Sequence, residues 1–100
     1  MTDKLKEIKK YLVNKGYEVF DFSQHNSAFD DYPEYAFIVS NEVVSGNADF
    51  GILLCVTGIG MSIAANKVKG VRCAHVTSSS EAILARSHNN ANVIALSAKN

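Results

Sequence analysis

The sequence lacks a net charge, a long apolar run and an apolar leader. Ten Lys and Arg residues balance ten Asp and Glu residues, and the charges are dispersed. This balance predicts neither nucleic-acid binding nor binding to a membrane surface. No apolar run approaches the ~20 residues of a membrane span, and the charged first residues are not those of a signal peptide. We therefore expect a cytoplasmic protein.

Cysteine is also scarce. Cys55 and Cys73 lie inside apolar, strand-like runs, and their spacing is neither that of a zinc site nor that of a disulfide framework. No group of His, Asp and Glu residues has the spacing of metal ligands. We therefore expect two free thiols and no metal.

The length of 100 residues predicts one domain over 1–100. A domain of this size buries only about 60 to 70% of its unfolded surface, so it gains stability from a partner subunit. We expect a homodimer or a homotetramer.

Apolar periodicity predicts alternating helices and strands. The predicted helices are 3–15, 33–44, 61–68 and 78–86, and the predicted strands are 17–22, 49–56, 71–76 and 92–97. Residues 23–32, rich in Ser, Asn and Asp, predict a loop. This order is typical of a three-layer, Rossmann-like α/β fold, with a parallel sheet and helices on both faces. Such folds usually open with a central strand, so we expect the first strand to be missing. The sequence stops directly after the last predicted strand, where a covering helix is usual, so we expect the C-terminal helices to be missing as well.

A glycine loop follows the second predicted strand. From Cys55, the chain passes through Gly58 and Gly60 into a helix whose first N–H groups have no partner within the helix. Such a loop can hold an anion at the carboxyl end of a parallel sheet. Without further context, a tight turn that binds no ligand is the commoner interpretation of two glycines separated by one residue.

Longer strings of residues help to decide between an anion-binding loop and a turn that binds no ligand. Residues 51–55, 57–67 and 70–72 read GILLC, TGIGMSIAANK and GVR, and residues 31–33, 86–89 and 90–94 read DYP, RSHN and NANVI. In this order the strings closely resemble the signature of ribose-5-phosphate isomerase B. The resemblance extends over nearly the whole chain.

The resemblance implies an aldose–ketose isomerase that converts ribose 5-phosphate to ribulose 5-phosphate through an enediolate. Cys55 matches the catalytic base, and a helix N-terminus close to the sulfur favours its thiolate form. His88 matches a histidine that helps to open the furanose ring, and Thr57 is the third residue assigned to catalysis. Proton transfer between adjacent carbons needs no cofactor, so none is expected.

The resemblance also implies a sugar-phosphate site. Backbone N–H groups of the loop and the Asn89 amide would stabilise the enediolate, and Tyr32 would line the sugar pocket. Lys99 stands where relatives commonly have an arginine that contacts phosphate, and lysine lacks its bidentate fork. The expected substrate-binding residues are Tyr32, Gly58, Gly60, Ser62, Asn89 and Lys99.

Two residues and both ends depart from the family pattern. Val56 replaces a glycine and brings a branched side chain to the place where an oxyanion would approach, and Ser97 also replaces a glycine. Relatives open with a strand that ends in an Asp-His pair, and they continue into helices that carry phosphate-binding arginines. We therefore expect the 100-residue chain to have weak or no activity unless partner chains complete the sheet.

Three other functions share some of these features. A galactose-6-phosphate isomerase subunit fits the same strings, but the two chain types of that enzyme divide the catalytic groups, whereas Cys55 and His88 occur together in this chain. A catalytically impaired module that only binds sugar phosphates would keep the loop without the turnover. A thiol redox protein needs a second cysteine close in sequence, and Cys55 has none.

Overall fold

The structure is a computed structural model that describes residues 2–22 and 32–98, with the backbone alone for Thr2 and Tyr32. Residues 23–31 of the predicted loop 23–32 lie outside these residues, as does the predicted phosphate ligand Lys99, whereas Tyr32 belongs to a helix. The helices and strands, in chain order, are α1 (Thr2–Asn14), α2 (Tyr32–Val44), β1 (Gly51–Cys55), α3 (Ile59–Asn66), β2 (Cys73–His75), α4 (Ser79–Asn89) and β3 (Val93–Ser97).

The three strands form a parallel sheet in the order β1-β3-β2. The register places Gly51 beside Val93 and Cys55 beside Ser97, and β2 pairs with the first half of β3. Because every strand runs in the same direction, the loops that follow β1, β2 and β3 meet at one edge. The prediction of a parallel α/β sheet is confirmed.

Helices cover both faces of this sheet, as predicted. Alternate residues of β3 point to opposite faces. Val93 and Ala95 pack in one buried cluster with residues of α2 and α3. Ile94 and Leu96 pack on the other side, against a second cluster that includes Ala85 of α4. The central strand is therefore buried on both faces, which accounts for its uniformly apolar sequence.

A glycine brings α2 close to β1. A Cβ atom at Gly51 would lie only 2.6 Å from Cγ1 of Val39, which is closer than non-bonded carbon atoms come. Any side chain at this position would push the helix away from the strand. Gly51 therefore fixes the depth at which α2 packs on the sheet.

The predicted strand 17–22 is wrong, because this segment forms no strand. Its first amide, that of Tyr17, donates to the carbonyl of Leu12 in α1. Farther along, Lys9 of α1 lies 3.7 Å from Asp21. A strand requires a neighbouring strand for its backbone hydrogen bonds, and within the described residues this segment has none.

A cavity of about 1230 Å³ separates α1 and the segment 17–22 from β1. Gly51 and Cys55 bond toward β3, through the Asn92 carbonyl and the Ala98 amide. In a parallel ladder, Ile52 then turns its backbone groups to the other edge, where no strand stands within the described part of the chain. The cavity and this open edge together leave room for one further strand.

Neither a membrane span nor a metal cluster occurs in the described residues. None of the helices there is long and apolar enough to cross a membrane. Within the same ranges, no three His, Cys, Asp or Glu side chains come together as a possible metal site.

Candidate active site

The candidate site is the turn that joins β1 to α3. Cys55 ends the strand, and Gly58 adopts a left-handed backbone conformation, with φ at 84°. A Cβ atom on Gly58 would lie 2.8 Å from a ring carbon of His75 and 3.0 Å from the carbonyl carbon of Leu96. Only glycine satisfies both the conformation and the space, so the turn lies tightly over the carboxyl end of β3.

The turn directs a backbone donor at the thiol. The amide nitrogen of Gly58 donates to the Cys55 sulfur over 3.0 Å. The side chain is only partly buried, with one side against the core cluster and the sulfur toward the amide. The sulfur of Cys55 therefore accepts a hydrogen bond from the backbone of the loop that follows it.

The turn also opens a helix. The hydroxyl of Thr57 accepts a hydrogen bond from the amide of Ile59, and the amide of Ser62 makes the first helical bond, to the Gly58 carbonyl. The intervening amides, those of Gly60 and Met61, belong to the first turn, whose N–H groups have no acceptor within a helix. The amides of Gly60 and Met61 follow Cys55 closely in sequence, at the start of the helix that the loop opens. Such free N–H groups can donate hydrogen bonds to an anionic oxygen.

Ser62 is turned toward a different residue. Its hydroxyl forms a hydrogen bond with the thiol of Cys73 on β2. Burial raises the pKa of the Cys73 thiol, and the bond from Ser62 lowers it to a smaller extent. The amide of Ser62 is thus used within the helix and its hydroxyl bonds Cys73, and the substrate-binding role expected for Ser62 stays a prediction.

The structure does not bring His88 and Asn89 to Cys55 within one chain. They lie in the last turn of α4, where Arg72 donates to the Asn89 carbonyl over 2.6 Å. Just beyond this helix, the Asn92 carbonyl accepts from the amide of Gly51, at the start of β1. Cys55 lies at the other end of that strand, about 13 Å away for four steps of about 3.3 Å.

Two contacts at the loop were missed by sequence reasoning. His75, which matches no catalytic residue of the family, places Nε2 only 2.7 Å from the Thr57 carbonyl. Ser97, noted only as a departure, donates its hydroxyl to the Val56 carbonyl over 2.7 Å. No local pattern marks either residue, although both stand at the carboxyl ends of strands, where ligand sites of such sheets form.

The side chain of Tyr32 lies outside the described residues, as does Lys99. The sugar-pocket and phosphate roles predicted for them therefore stay predictions.

Known proteins of one family resemble this chain over most of its length. The pattern of the Ribose/Galactose Isomerase family matches residues 2–100. Ribose-5-phosphate isomerase B of Escherichia coli is 44% identical over 93 residues, which are 93% of this chain and 62% of the relative.

Solved structures agree with the sequence comparison. Ribose-5-phosphate isomerase B of Clostridium thermocellum superposes with a TM-score of 0.88 at 47% identity, covering 94% of this chain and 64% of that one. The enzyme of Mycoplasma genitalium, solved with bound ribulose-5-phosphate, gives 0.83 at 48% identity and covers 92% and 62%. The chain thus spans a little over three fifths of the length of these relatives.

Proposed function

Because the chain belongs to the ribose/galactose isomerase family, we propose that it interconverts an aldose phosphate and a ketose phosphate, with ribose 5-phosphate and ribulose 5-phosphate as the substrate pair. The observation that carries the proposal is the Gly58 amide directed at the Cys55 sulfur. The relative with bound ribulose-5-phosphate supports the choice of sugar.

In the proposed reaction, the Cys55 thiolate removes the proton from C2 of the open-chain aldose. The electron pair of the C2–H bond forms a C1=C2 double bond, and negative charge collects on O1. Amides of Gly60 and Met61 stabilise that oxygen. The proton then passes from sulfur to C1, and the hydroxyl proton of O2 moves to O1, which gives the ketose with no atom gained or lost.

We propose that His88 and Asn89 serve the Cys55 of a second copy. Within one chain they lie at the opposite end of β1, too far to touch a sugar held at the sulfur. In a symmetric dimer, each chain can present the end of α4 to the loop of its partner. His88 would then open the furanose ring by proton transfer and Asn89 would donate to the enediolate. A homotetramer would contain the same pairwise site.

The open edge of β1 limits what the 100-residue chain can do. We propose that its activity is weak or absent until further chain fills the cavity between β1 and the segment 17–22. Cys55 lines this cavity, so the wall of the site that faces it is missing, and catalysis requires a substrate to be held in place beside the sulfur.

We also propose a cytoplasmic location. Cys55 and Cys73 are free thiols, and such thiols persist in a reducing compartment.

The proposal is tested by assaying the purified chain with ribose 5-phosphate and, separately, with galactose 6-phosphate. Turnover of the five-carbon sugar that disappears in Cys55→Ala would support it. A preference for the six-carbon sugar would favour the galactose-6-phosphate isomerase alternative.

Calorimetry separates the remaining alternative. Binding of ribose 5-phosphate without isomerisation, unchanged in Cys55→Ala, would indicate a sugar-phosphate-binding module instead of an enzyme. A turnover of roughly 1 to 1,000 per second by the chain alone would contradict the expectation of weak activity.

A further inference from the structure

His75 contacts the candidate site from β2, the strand on the far side of the central strand β3. It ends β2, which β3 separates from β1. His75 pairs with Ala95 of β3, and its ring contacts the loop after β1, with Nε2 at 2.7 Å from the Thr57 carbonyl. The same ring packs against Gly58, where a Cβ atom would lie 2.8 Å from ring carbon Cδ2.

The direction of this hydrogen bond follows from the chemistry of its two atoms. The Thr57 carbonyl oxygen can only accept, so Nε2 of His75 carries the hydrogen and donates it. This holds for the neutral imidazole and for the cation, because Nε2 keeps its hydrogen in both. The Thr57 carbonyl therefore accepts a hydrogen bond from the side chain of His75, and a substitution at position 75 can remove that bond.

The peptide group that accepts the hydrogen bond from His75 also donates a hydrogen bond to the Cys55 sulfur. The carbonyl of Thr57 and the amide of Gly58 belong to one planar, trans peptide unit, so they point in opposite directions. His75 bonds the carbonyl end and the Cys55 sulfur accepts from the amide end. Any rotation of this unit that released the His75 ring would also turn the amide away from the sulfur.

We propose that His75 is a positioning residue for Cys55, acting through the peptide that joins Thr57 to Gly58. The inference deepens the proposed function, because it names what orients the donor to the catalytic sulfur. His75 does not contact the sulfur itself. Hydrogen bonds in a chain polarise one another, so the His75 bond also strengthens the one to Cys55.

The proposal is tested by the alkylation rate of Cys55, which requires neither substrate nor isomerase activity. Iodoacetamide reacts with the thiolate, so its rate at pH 7 reports how well negative charge on sulfur is stabilised. The background variant is Cys73→Ser, which leaves Cys55 as the single thiol. Two substitutions of similar length are compared in it: His75→Gln, which keeps a donor near the position of Nε2, and His75→Met, which has none.

We expect His75→Met to slow alkylation of Cys55 by ~3- to 10-fold, which corresponds to the loss of roughly one hydrogen bond between neutral groups. We expect His75→Gln to stay within about twofold of the background. Equal rates in all three proteins, or a His75→Gln rate as slow as that of His75→Met, would overturn the proposal.

Circular dichroism and the thermal midpoint show that each variant is folded. If His75→Met does not fold, His75→Asn replaces it, because the shorter amide cannot reach the carbonyl. Failure of isomerisation would leave these rates unaffected, so the two proposals fail independently.

Discussion

The amide nitrogen of Gly58 lies 3.0 Å from the sulfur of Cys55, three residues earlier in the chain. This contact links the local backbone to the proposed chemistry, because the N–H that reaches the thiol belongs to the same tight turn that the left-handed Gly58 completes. A side chain at position 58 would disturb the conformation, the packing and the donor together.

Gly58→Ala is expected to lower the free energy of unfolding by about 1 to 3 kcal/mol, from a strained left-handed backbone and from contact with His75 and the carbonyl carbon of Leu96. Urea denaturation measures the change. The matched control is Gly46→Ala, because Gly46 has φ at 86° and an added methyl group there would have no atom within 4 Å. An equal loss in both variants would show that backbone strain alone, without the contacts, accounts for Gly58.

The two thiols are expected to differ in reactivity. Burial raises the pKa of Cys73, so little of it is thiolate at neutral pH. Cys55 has an amide donor at its sulfur. Iodoacetamide at pH 7 should therefore modify Cys55 first, as measured by peptide mass spectrometry, with Cys55→Ser and Cys73→Ser as single-thiol controls. Faster labelling of Cys73 would contradict the assignment of Cys55 as the reactive thiol.

The start of α4 is expected to weaken in acid. The hydroxyl and then the amide of Thr77 hold the pKa of Glu81 below its ordinary value of 4.5, while Ser78 caps the helix. A carboxylate with a lowered folded pKa contributes stability that is complete above its ordinary pKa and disappears as the pH falls through the lower value. In Glu81→Gln, the stability should therefore fall less steeply as the pH is lowered below about 5, because the titrating carboxylate is gone.

Thermal midpoints between pH 7 and pH 3 measure the effect. The control is Glu7→Gln, on the exposed surface of α1, which should keep the profile of the unmodified chain. An unchanged profile in Glu81→Gln would mean that the Thr77 contacts do not persist in solution.

A site shared between two copies predicts complementation. Cys55→Ala and His88→Ala chains should each be inactive alone, whereas random mixing should restore about one quarter of the unmodified activity. Half of the dimers would then contain both chain types, with one intact site of two. Mixed subunits that stay inactive, while each variant still dimerises in sedimentation experiments, would place both groups in one chain instead.

Much of the architecture could be predicted because it depends on local patterns. The apolar run through Leu53 and Leu54 predicts a buried parallel strand, and the glycine at position 58 predicts a turn. The segment 17–22 shows the limit of such patterns. It alternates as a strand does, yet a strand exists only with a neighbour, and neighbours are set by the whole sheet.

The site shows the same limit. Cys55 and its loop are adjacent in sequence, so their contact follows from a short stretch of chain. The contact between His75 and Thr57 joins residues that are 18 apart in sequence, through a strand order that the sequence does not display. The separation of His88 from Cys55 likewise follows from the direction of α4 and not from any motif.

The most direct test of Cys55 as the base is hydrogen exchange at C1 of ribulose 5-phosphate in D₂O, followed by proton NMR. Exchange reports removal of the proton even where net turnover is slow. We predict that the unmodified chain catalyses this exchange slowly, because the cavity beside β1 is unfilled, and that Cys55→Ala reduces the rate by about 100-fold or more, the usual effect of a general base. Exchange at the same rate in both proteins would contradict the account.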